Sequence, residues 1–236
     1  MIVLGLSKGG FTVIGILSVP ILSIVISPVQ AAGLTLPVFV ASDIVALLTY
    51  RRVYDKKVIA AILPGAAIGV GIGWLTAAWV TEHWIRLLVG AISVLFALDY
   101  WFRHKKQLEP HPPNTLKGWF WGVITGFTSF VSHAGGAPYQ MYVAPLRLDP
   151  LVFAGTTVVI FAVVNALKLI PYFFLGQFDA ENLETAAVIA PISLVSVLIG
   201  RWLVRKFDPK VFYDLIYVLI FAVGLFLVWE GVAALL

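Results

Sequence analysis

Long apolar stretches alternate with short polar or Pro/Gly-rich connections along the whole chain. A helix that crosses a membrane needs about 20 predominantly apolar residues, and most of the stretches approach or exceed that length. The eight stretches are residues 11–26, 29–50, 58–80, 84–102, 119–146, 151–175, 183–204 and 211–236. The pattern predicts an all-α polytopic membrane protein, and we expect it in the cell inner (plasma) membrane.

Composition excludes several other classes of protein. The chain of 236 residues is 61% hydrophobic and 12% charged, whereas soluble domains are about 45–50% apolar and about 25% charged. The absence of cysteine excludes a disulfide scaffold and a cysteine-ligated metal site. The net charge of +4 does not indicate a nucleic-acid partner, because the basic residues lie between apolar stretches rather than in one patch.

The two halves of the chain resemble each other, which indicates an internal repeat. The matching pairs are residues 28–35 with 150–157, Asp43 with Asn165, and Gly9-Gly10 with Gly135-Gly136. We therefore expect a first transmembrane repeat (1–102), a basic Pro-rich cytoplasmic linker (103–116) and a second repeat (117–236). A cleaved leader would not carry the first copy of a repeat, so we expect residues 11–26 to belong to the membrane domain.

Positive charges predict the orientation, because cytoplasmic loops carry most Lys and Arg. The loops at 51–57, 103–117 and 205–210 are basic, whereas 176–182 has no Lys or Arg. Eight simple crossings would place the third basic loop outside. The conflict disappears if 119–146 enters and leaves on one side, with a break at 133–138 where Gly and Pro interrupt the helix. Each half then has three spans and one broken or re-entrant Gly-rich helix, and the halves are inverted repeats, as in many transporters.

Lys8 is the first charge that requires an explanation, because a charge at the bilayer centre costs ~2.5–3.5 kcal/mol. It lies in the segment Ser7-Lys8-Gly9-Gly10, between a short and a long apolar stretch. One explanation is a lysine at a helix end whose ammonium reaches water. The other is a cation beside a broken helix, where free N–H groups of Gly9, Gly10 and Phe11 bind an anion.

The matching segment offers His133 ahead of Gly135 and Gly136. An imidazole has an unperturbed pKa of about 6.5, so His133 could donate to an anion, carry a proton, or serve only in packing. Asp43 lies near the middle of its stretch and could neutralise Lys8 or Lys168, or relay protons. Lys168 follows Asn165 by three residues, which places both on one helix face.

These considerations give two sets of candidate residues. The candidates for substrate binding are Ser7, Lys8, Gly9, Gly10, His133, Gly135, Gly136, Asn165 and Lys168. The candidates for a proton or charge relay are Asp43 and His133. Other charged residues near predicted span ends, namely Asp99, Asp214 and Glu230, fit the membrane interface, and Arg201 fits either an interface or a cavity.

No motif of a cofactor-dependent or metal-dependent enzyme is present. The sequence has no Walker A motif and no HExxH, and its four histidines lack ligand spacing, so we expect no cofactor, no metal and no enzymatic activity. The glycines at 69, 71 and 73 lie within an apolar stretch and indicate close helix packing. Trp and Tyr near the span ends are typical of an interfacial aromatic belt.

The paired glycine segments and the helix starts that follow them resemble those of the sulfite exporter TauE/SafE family of bacterial membrane transporters. The resemblance rests on residues 5–11 (GLSKGGF) with Pro20, 126–138 with Pro145, 28–35 and 150–157. Family members usually have a longer apolar stretch before the first glycine segment than this sequence has. The resemblance implies export of small sulfur-containing or organic anions such as sulfite or sulfonates.

The expected partners are a small anionic substrate and the lipid bilayer, and a homodimer is left open. A structural or assembly membrane protein without transport activity is the alternative, and it predicts that Lys8 and His133 tolerate apolar replacement. An intramembrane enzyme is disfavoured, because the sequence has no set of acid, base and nucleophile.

Overall fold

A computed structural model of the protein describes residues 1–26, 28–77, 79, 81–104, 112–178 and 180–235. These residues are almost entirely helical and include no strand, which confirms the predicted all-α fold. Their α-helices are α1 (Ile2–Lys8), α2 (Ser18–Ser23), α3 (Pro28–Thr49), α4 (Lys56–Thr76), α5 (Glu82–Asp99), α6 (Thr115–Ser132), α7 (Gly136–Val143), α8 (Pro150–Phe174), α9 (Ala180–Lys206) and α10 (Pro209–Ala233). Short 3-10 helices (Thr12–Leu17 and Ala144–Leu146) and one π-helical turn (Tyr100–His104) complete the described elements.

Within the part of the chain that the structure describes, six helices are long and apolar enough to cross a membrane. They are Gln30–Thr49, Lys56–Thr76, His83–Phe102, Pro150–Phe174, Asn182–Lys206 and Pro209–Ala233. Three fall in each half of the sequence, and each half also contains a helix broken at its glycine pair, as predicted. The inversion of one half relative to the other stays a prediction. Of the predicted linker, residues 105–111 lie outside the described part of the chain.

The apolar stretch 11–26 differs from the expected long helix. It forms the 3-10 helix Thr12–Leu17 followed by the short helix α2. Thr12, Val13 and Ile14 are β-branched and therefore weak helix formers. Pro20 has no N–H to donate, which interrupts a regular α-helical ladder through this stretch.

The helices form two compact units. Unit 1 contains Met1–Ile59 and Pro150–Phe207, and unit 2 contains Ala60–Asp149 and Asp208–Leu236. Each unit therefore takes segments from both predicted repeats, and the division of the sequence into repeats stays a prediction.

In unit 1, α3 packs against α8 and α9, and α1 packs against α9. Leu4, Val38 and Phe39 form an apolar cluster with two alanines of α9. The hydroxyl groups of Ser42 and Ser193, 2.8 Å apart, form a hydrogen bond between α3 and α9. These contacts hold the end of α1 next to the middle of α3.

In unit 2, α5 and α10 pack along their lengths, and small residues bring α4 close to α6. Gly69 lies against the carbonyl of Val123 and Gly73 against the ring of Phe130, which confirms that these two glycines serve helix packing. Gly71 has no neighbouring atom within 4 Å of where a Cβ would stand, so the packing prediction is wrong for this residue. Gly69 and Gly73 face α6, whereas Gly71 lies on another face of α4.

Acidic residues of α10 have partners within unit 2. Asp214 accepts a hydrogen bond of 3.0 Å from the hydroxyl of Tyr100. Glu230 pairs with Arg86 at 3.0 Å. Both interactions join α10 to α5 or to the turn that follows it.

Candidate functional site

Three helices of unit 1 bring four predicted polar residues together. The Nζ atom of Lys8, the last residue of α1, lies 2.6 Å from Oδ1 of Asp43 on α3. Asn165 on α8 donates from Nδ2 to Oδ2 of the same carboxylate at 2.7 Å. Lys168 interacts electrostatically with both Lys8 and Asp43. Of the two partners considered for Asp43, Lys8 forms the direct ion pair. We call these four residues the charged cluster.

The charged cluster is removed from solvent. Lys8 is 5% exposed, Asp43 4%, Asn165 3% and Lys168 0%. The interpretation of Lys8 as a lysine that reaches water is therefore wrong. Its ammonium has a buried carboxylate as counterion, and it lies 4.6 Å from the centre of the Phe39 ring, which stabilises a cation.

Helix geometry accounts for the assembly of the charged cluster. Asn165 and Lys168 are three residues apart on α8 and share one face. Phe39 and Asp43 are four residues apart on α3, so the ring and the carboxylate both reach Lys8. Lys8 itself ends α1, where the partial negative charge of the helix C-terminus favours a cation.

The charged cluster contains two lysines and one aspartate, so its formal net charge is +1 when all three side chains are ionised. A buried charge without full compensation is costly and attracts a counter-charge. The cluster is therefore suited chemically to hold a small anion, with lysine ammonium groups and the Asn165 amide as donors.

The first glycine segment does not offer the free N–H groups that we expected. Gly9 donates to the carbonyl of Gly5 at 2.9 Å, Gly10 to that of Ser7 at 3.4 Å, and Phe11 to that of Leu6 at 3.3 Å. These residues follow the C-terminus of α1, whose last carbonyl groups need donors. The predicted anion site at the amides of Gly9 and Gly10 is therefore wrong in its geometry.

Gly9 instead permits close helix contact. A Cβ atom on Gly9 would lie 2.5 Å from Cα of Gly200 on α9. The carbonyl of Gly9 accepts a hydrogen bond of 2.5 Å from the hydroxyl of Tyr50, and the guanidinium of Arg201 lies over the Tyr50 ring at 5.4 Å. Ser7 is buried and its hydroxyl donates to the carbonyl of Leu4 at 2.6 Å.

The second glycine segment, in unit 2, breaks its helix as predicted. His133 follows α6 in the left-handed conformation with φ of 53°, and α7 begins at Gly136. His133 is 8% exposed. The N–H of Ala134 donates to Thr128, whereas those of Gly135, Gly136 and Ala137 have no acceptor within the described residues. The free donors expected at the first glycine segment thus occur at the second.

Sequence reasoning missed two buried polar side chains of unit 2. Gln140 on α7 is fully buried, and neither Nε2 nor Oε1 has a hydrogen-bond partner in the described part of the chain. Thr125 on α6 is also fully buried, and its Oγ1 is likewise without a partner there. The sequence signal for Gln140 was that it is the single amide in GAPYQMYV, a helix without charged residues.

Comparison with known proteins adds independent information. The model of the family described as Sulfite exporter TauE/SafE matches residues 1–227. A probable inner membrane transporter protein TsaS from Comamonas testosteroni is 28% identical over 182 residues, which cover 75% of this chain and 74% of that protein. A probable sulfite/organosulfonate exporter TauE from Cupriavidus necator is 24% identical over 245 residues, with 99% of this chain and 87% of that protein covered. No solved structure matches significantly. The family match extends over nearly the whole chain, and the chain therefore belongs to the sulfite exporter TauE/SafE family of membrane transporters.

Proposed function

We propose that the protein exports small sulfur-containing or organic anions, such as sulfite or sulfonates, across the cell inner membrane, and that the charged cluster binds the anion. The observation that carries this proposal is the buried formal charge of +1 formed by Lys8, Lys168 and Asp43. The family description and the printed name of the Cupriavidus necator relative support the sulfur class and the outward direction. The printed name of the Comamonas testosteroni relative supports the inner membrane location.

Charge balance explains how the charged cluster would serve a carrier. A bound monoanion brings the formal charge of the cluster to zero. Because an unbalanced charge within the membrane is costly, the loaded carrier changes conformation at a lower energetic cost than the empty one. The cluster thus couples movement of the protein to the presence of the anion.

In the structure, Asp43 interacts with the same donor groups that the substrate would use. Its two carboxylate oxygens accept from Lys8 and Asn165, the same type of contact that a sulfite or sulfonate oxygen makes with such groups. The incoming anion competes with Asp43 for Lys8 and uses Lys168 as a second cation. Ser7, which precedes Lys8 on α1, is the further member of the proposed site from that helix, whereas the amides of Gly9 and Gly10 are not part of it.

Voltage alone provides enough driving force for export. A monovalent anion that leaves a cell with an inside-negative potential gains about 2.3 kcal/mol per 100 mV. Proton coupling is therefore not required, although Asp43 and His133 are the residues through which a proton or charge relay would run.

A binding screen with paired ligands tests the proposal. Methanesulfonate and dimethyl sulfone have similar size, but only the first carries a charge. We expect sulfite and methanesulfonate to raise the unfolding temperature of the purified protein, because a ligand at 100 times its Kd stabilises by about 2.7 kcal/mol. Dimethyl sulfone should have no effect. Equal effects of both ligands would contradict an anion site, and no effect of any anion would favour a structural or assembly protein.

A further inference from the structure

We infer that the start of α7 in unit 2 is a separate oxyanion-binding site built from uncharged donors. Its components are the backbone N–H groups of Gly135, Gly136 and Ala137 and the side-chain amide of Gln140, with Thr125 beside them. The inference rests on the proposed function, because it takes the class of ligand from it. The site itself consists of different residues.

The backbone donors form the first part of this site. Gly135, Gly136 and Ala137 are buried, and their N–H groups have no acceptor within the described residues. The N–H groups of a helix's first turn point out of its N-terminus, where the helix dipole favours negative charge. The two glycines carry no side chain, so a ligand can reach the backbone closely.

Gln140 gives the second, independent observation. It is 0% exposed, and both polar atoms of its side chain are unpartnered among the described residues. Gln140 follows Gly136 by four residues, and helical side chains are directed toward the N-terminus, so its amide lies over the first turn of α7. Buried amides in native proteins nearly always have a partner, which points to a ligand at this position.

Thr125 and the local charge agree with an anion as that ligand. A Cβ on Gly135 would lie 2.6 Å from the carbonyl oxygen of Thr125, so this level of α6 borders the start of α7. The hydroxyl of Thr125 is also buried and unpartnered in the described chain. Residues 115–143 include no Asp or Glu, so no carboxylate on α6 or α7 repels an anion.

The donor set favours a ligand with several acceptor oxygens. Three backbone N–H groups and the two N–H bonds of an amide belong to the first turns of α7, and none of these donors is a lysine or an arginine. A sulfonate or sulfite offers three oxygens to such donors, whereas a halide offers one centre without preferred directions. The site therefore fits the oxyanions of the proposed function.

Calorimetric titration of the purified full-length protein with methanesulfonate tests the inference. The variant Gln140→Met keeps side-chain volume and removes the amide, and Met141→Leu on the same helix is the matched control. We expect two binding events in the unchanged protein. Gln140→Met should weaken one of them by about tenfold or more, because hydrogen bonds to charged groups are worth about 1.4 kcal/mol or more. Met141→Leu should bind as the unchanged protein does.

The variant Lys168→Met separates this inference from the proposed function. Loss of the other binding event in Lys168→Met, with the Gln140-dependent event retained, supports both. An unaltered titration of Gln140→Met overturns the inference and leaves the charged cluster as the site. Loss of one binding event in Gln140→Met, with an unchanged titration of Lys168→Met, supports the inference and overturns the charged cluster as an anion site. No binding to the unchanged protein overturns both.

Stability without ligand gives a further readout. Because Gln140→Met removes an unpartnered buried amide, the anion-free variant should unfold at the same temperature as the unchanged protein or at a higher one. A lower unfolding temperature with unchanged affinity would show a purely structural role for Gln140 and overturn the inference.

Discussion

At the scale of residues, Lys8 and Asp43 each depend on the other. Both are almost fully buried, and their charged atoms are 2.6 Å apart. Removal of either partner takes away the counter-ion in direct contact with the other, and a buried ion pair is sensitive to that loss. When Lys8 is replaced, the Asn165 amide still donates to Asp43 and Lys168 still interacts with it electrostatically, but neither supplies the direct ammonium contact that Lys8 makes.

The first prediction follows from this dependence. Lys8→Met should lower the free energy of unfolding by about 3–5 kcal/mol, because it removes the buried ion-pair partner in direct contact with Asp43. The double variant Lys8→Met/Asp43→Asn should lose less than the sum of the two single effects, because each single variant already removes the same ion pair. Denaturant unfolding of the purified protein in mixed micelles measures both values. Destabilisation of the double variant by the sum of the two single effects would contradict the ion pair.

At the scale of helices, close contact between small residues determines the packing. Gly9, which follows the last residue of α1, faces Gly200 on α9, although its φ of −77° is accessible to any residue. Glycine is required there because of space and not because of backbone conformation. The same reasoning applies in unit 2 to Gly69, which lies against the carbonyl of Val123.

Alanine substitutions test this packing. Gly9→Ala should destabilise the protein by about 1–3 kcal/mol, since the added methyl group collides with α9. Gly71→Ala is the matched control, because a Cβ at that position of α4 meets no atom within 4 Å. The control should be neutral or slightly stabilising, since alanine favours a helix over glycine. Equal thermal unfolding temperatures for the two variants would show that Gly9 does not limit the approach of α9.

At the scale of the whole molecule, loop charges define the predicted topology. The loops 51–57, 103–117 and 205–210 should be cytoplasmic, with 176–182 on the opposite side, because only the first three carry Lys or Arg. The six candidate spans and the two helices broken at glycine pairs are consistent with these loop positions. The inverted relation of the two halves depends on these loop positions.

Cysteine labelling tests the topology directly, since the chain has no cysteine of its own. A cysteine in place of Ala180 should react with an impermeant maleimide added to intact cells. A cysteine in place of Lys210 should react only after the membrane is opened. Reaction of both positions from the same side would rule out the inverted arrangement.

The sequence predicted the six long helices, the break at His133 and the members of the charged cluster, but not the short helices within 11–26. Those features follow from periodicity, from glycine and proline, and from the cost of a charge in a membrane. The sequence did not reveal which glycine pair leaves its amides free. Gly9-Gly10 and Gly135-Gly136 look alike, but the first pair completes the end of α1 and the second opens α7. Gln140 escaped notice because one amide hardly changes the hydropathy of an apolar helix.

The central claim is that the charged cluster carries a small anion across the membrane. The most direct measurement is sulfite efflux from proteoliposomes in which valinomycin and K⁺ set an inside-negative potential. The unchanged protein should accelerate efflux over protein-free vesicles, and a more negative potential should increase the rate. Lys168→Met should reduce the rate by about tenfold or more, because one of two buried cations is lost. Lys210→Met, which replaces an exposed lysine, should retain the rate. Efflux no faster than from protein-free vesicles, or a rate unaffected by Lys168→Met, would contradict the account.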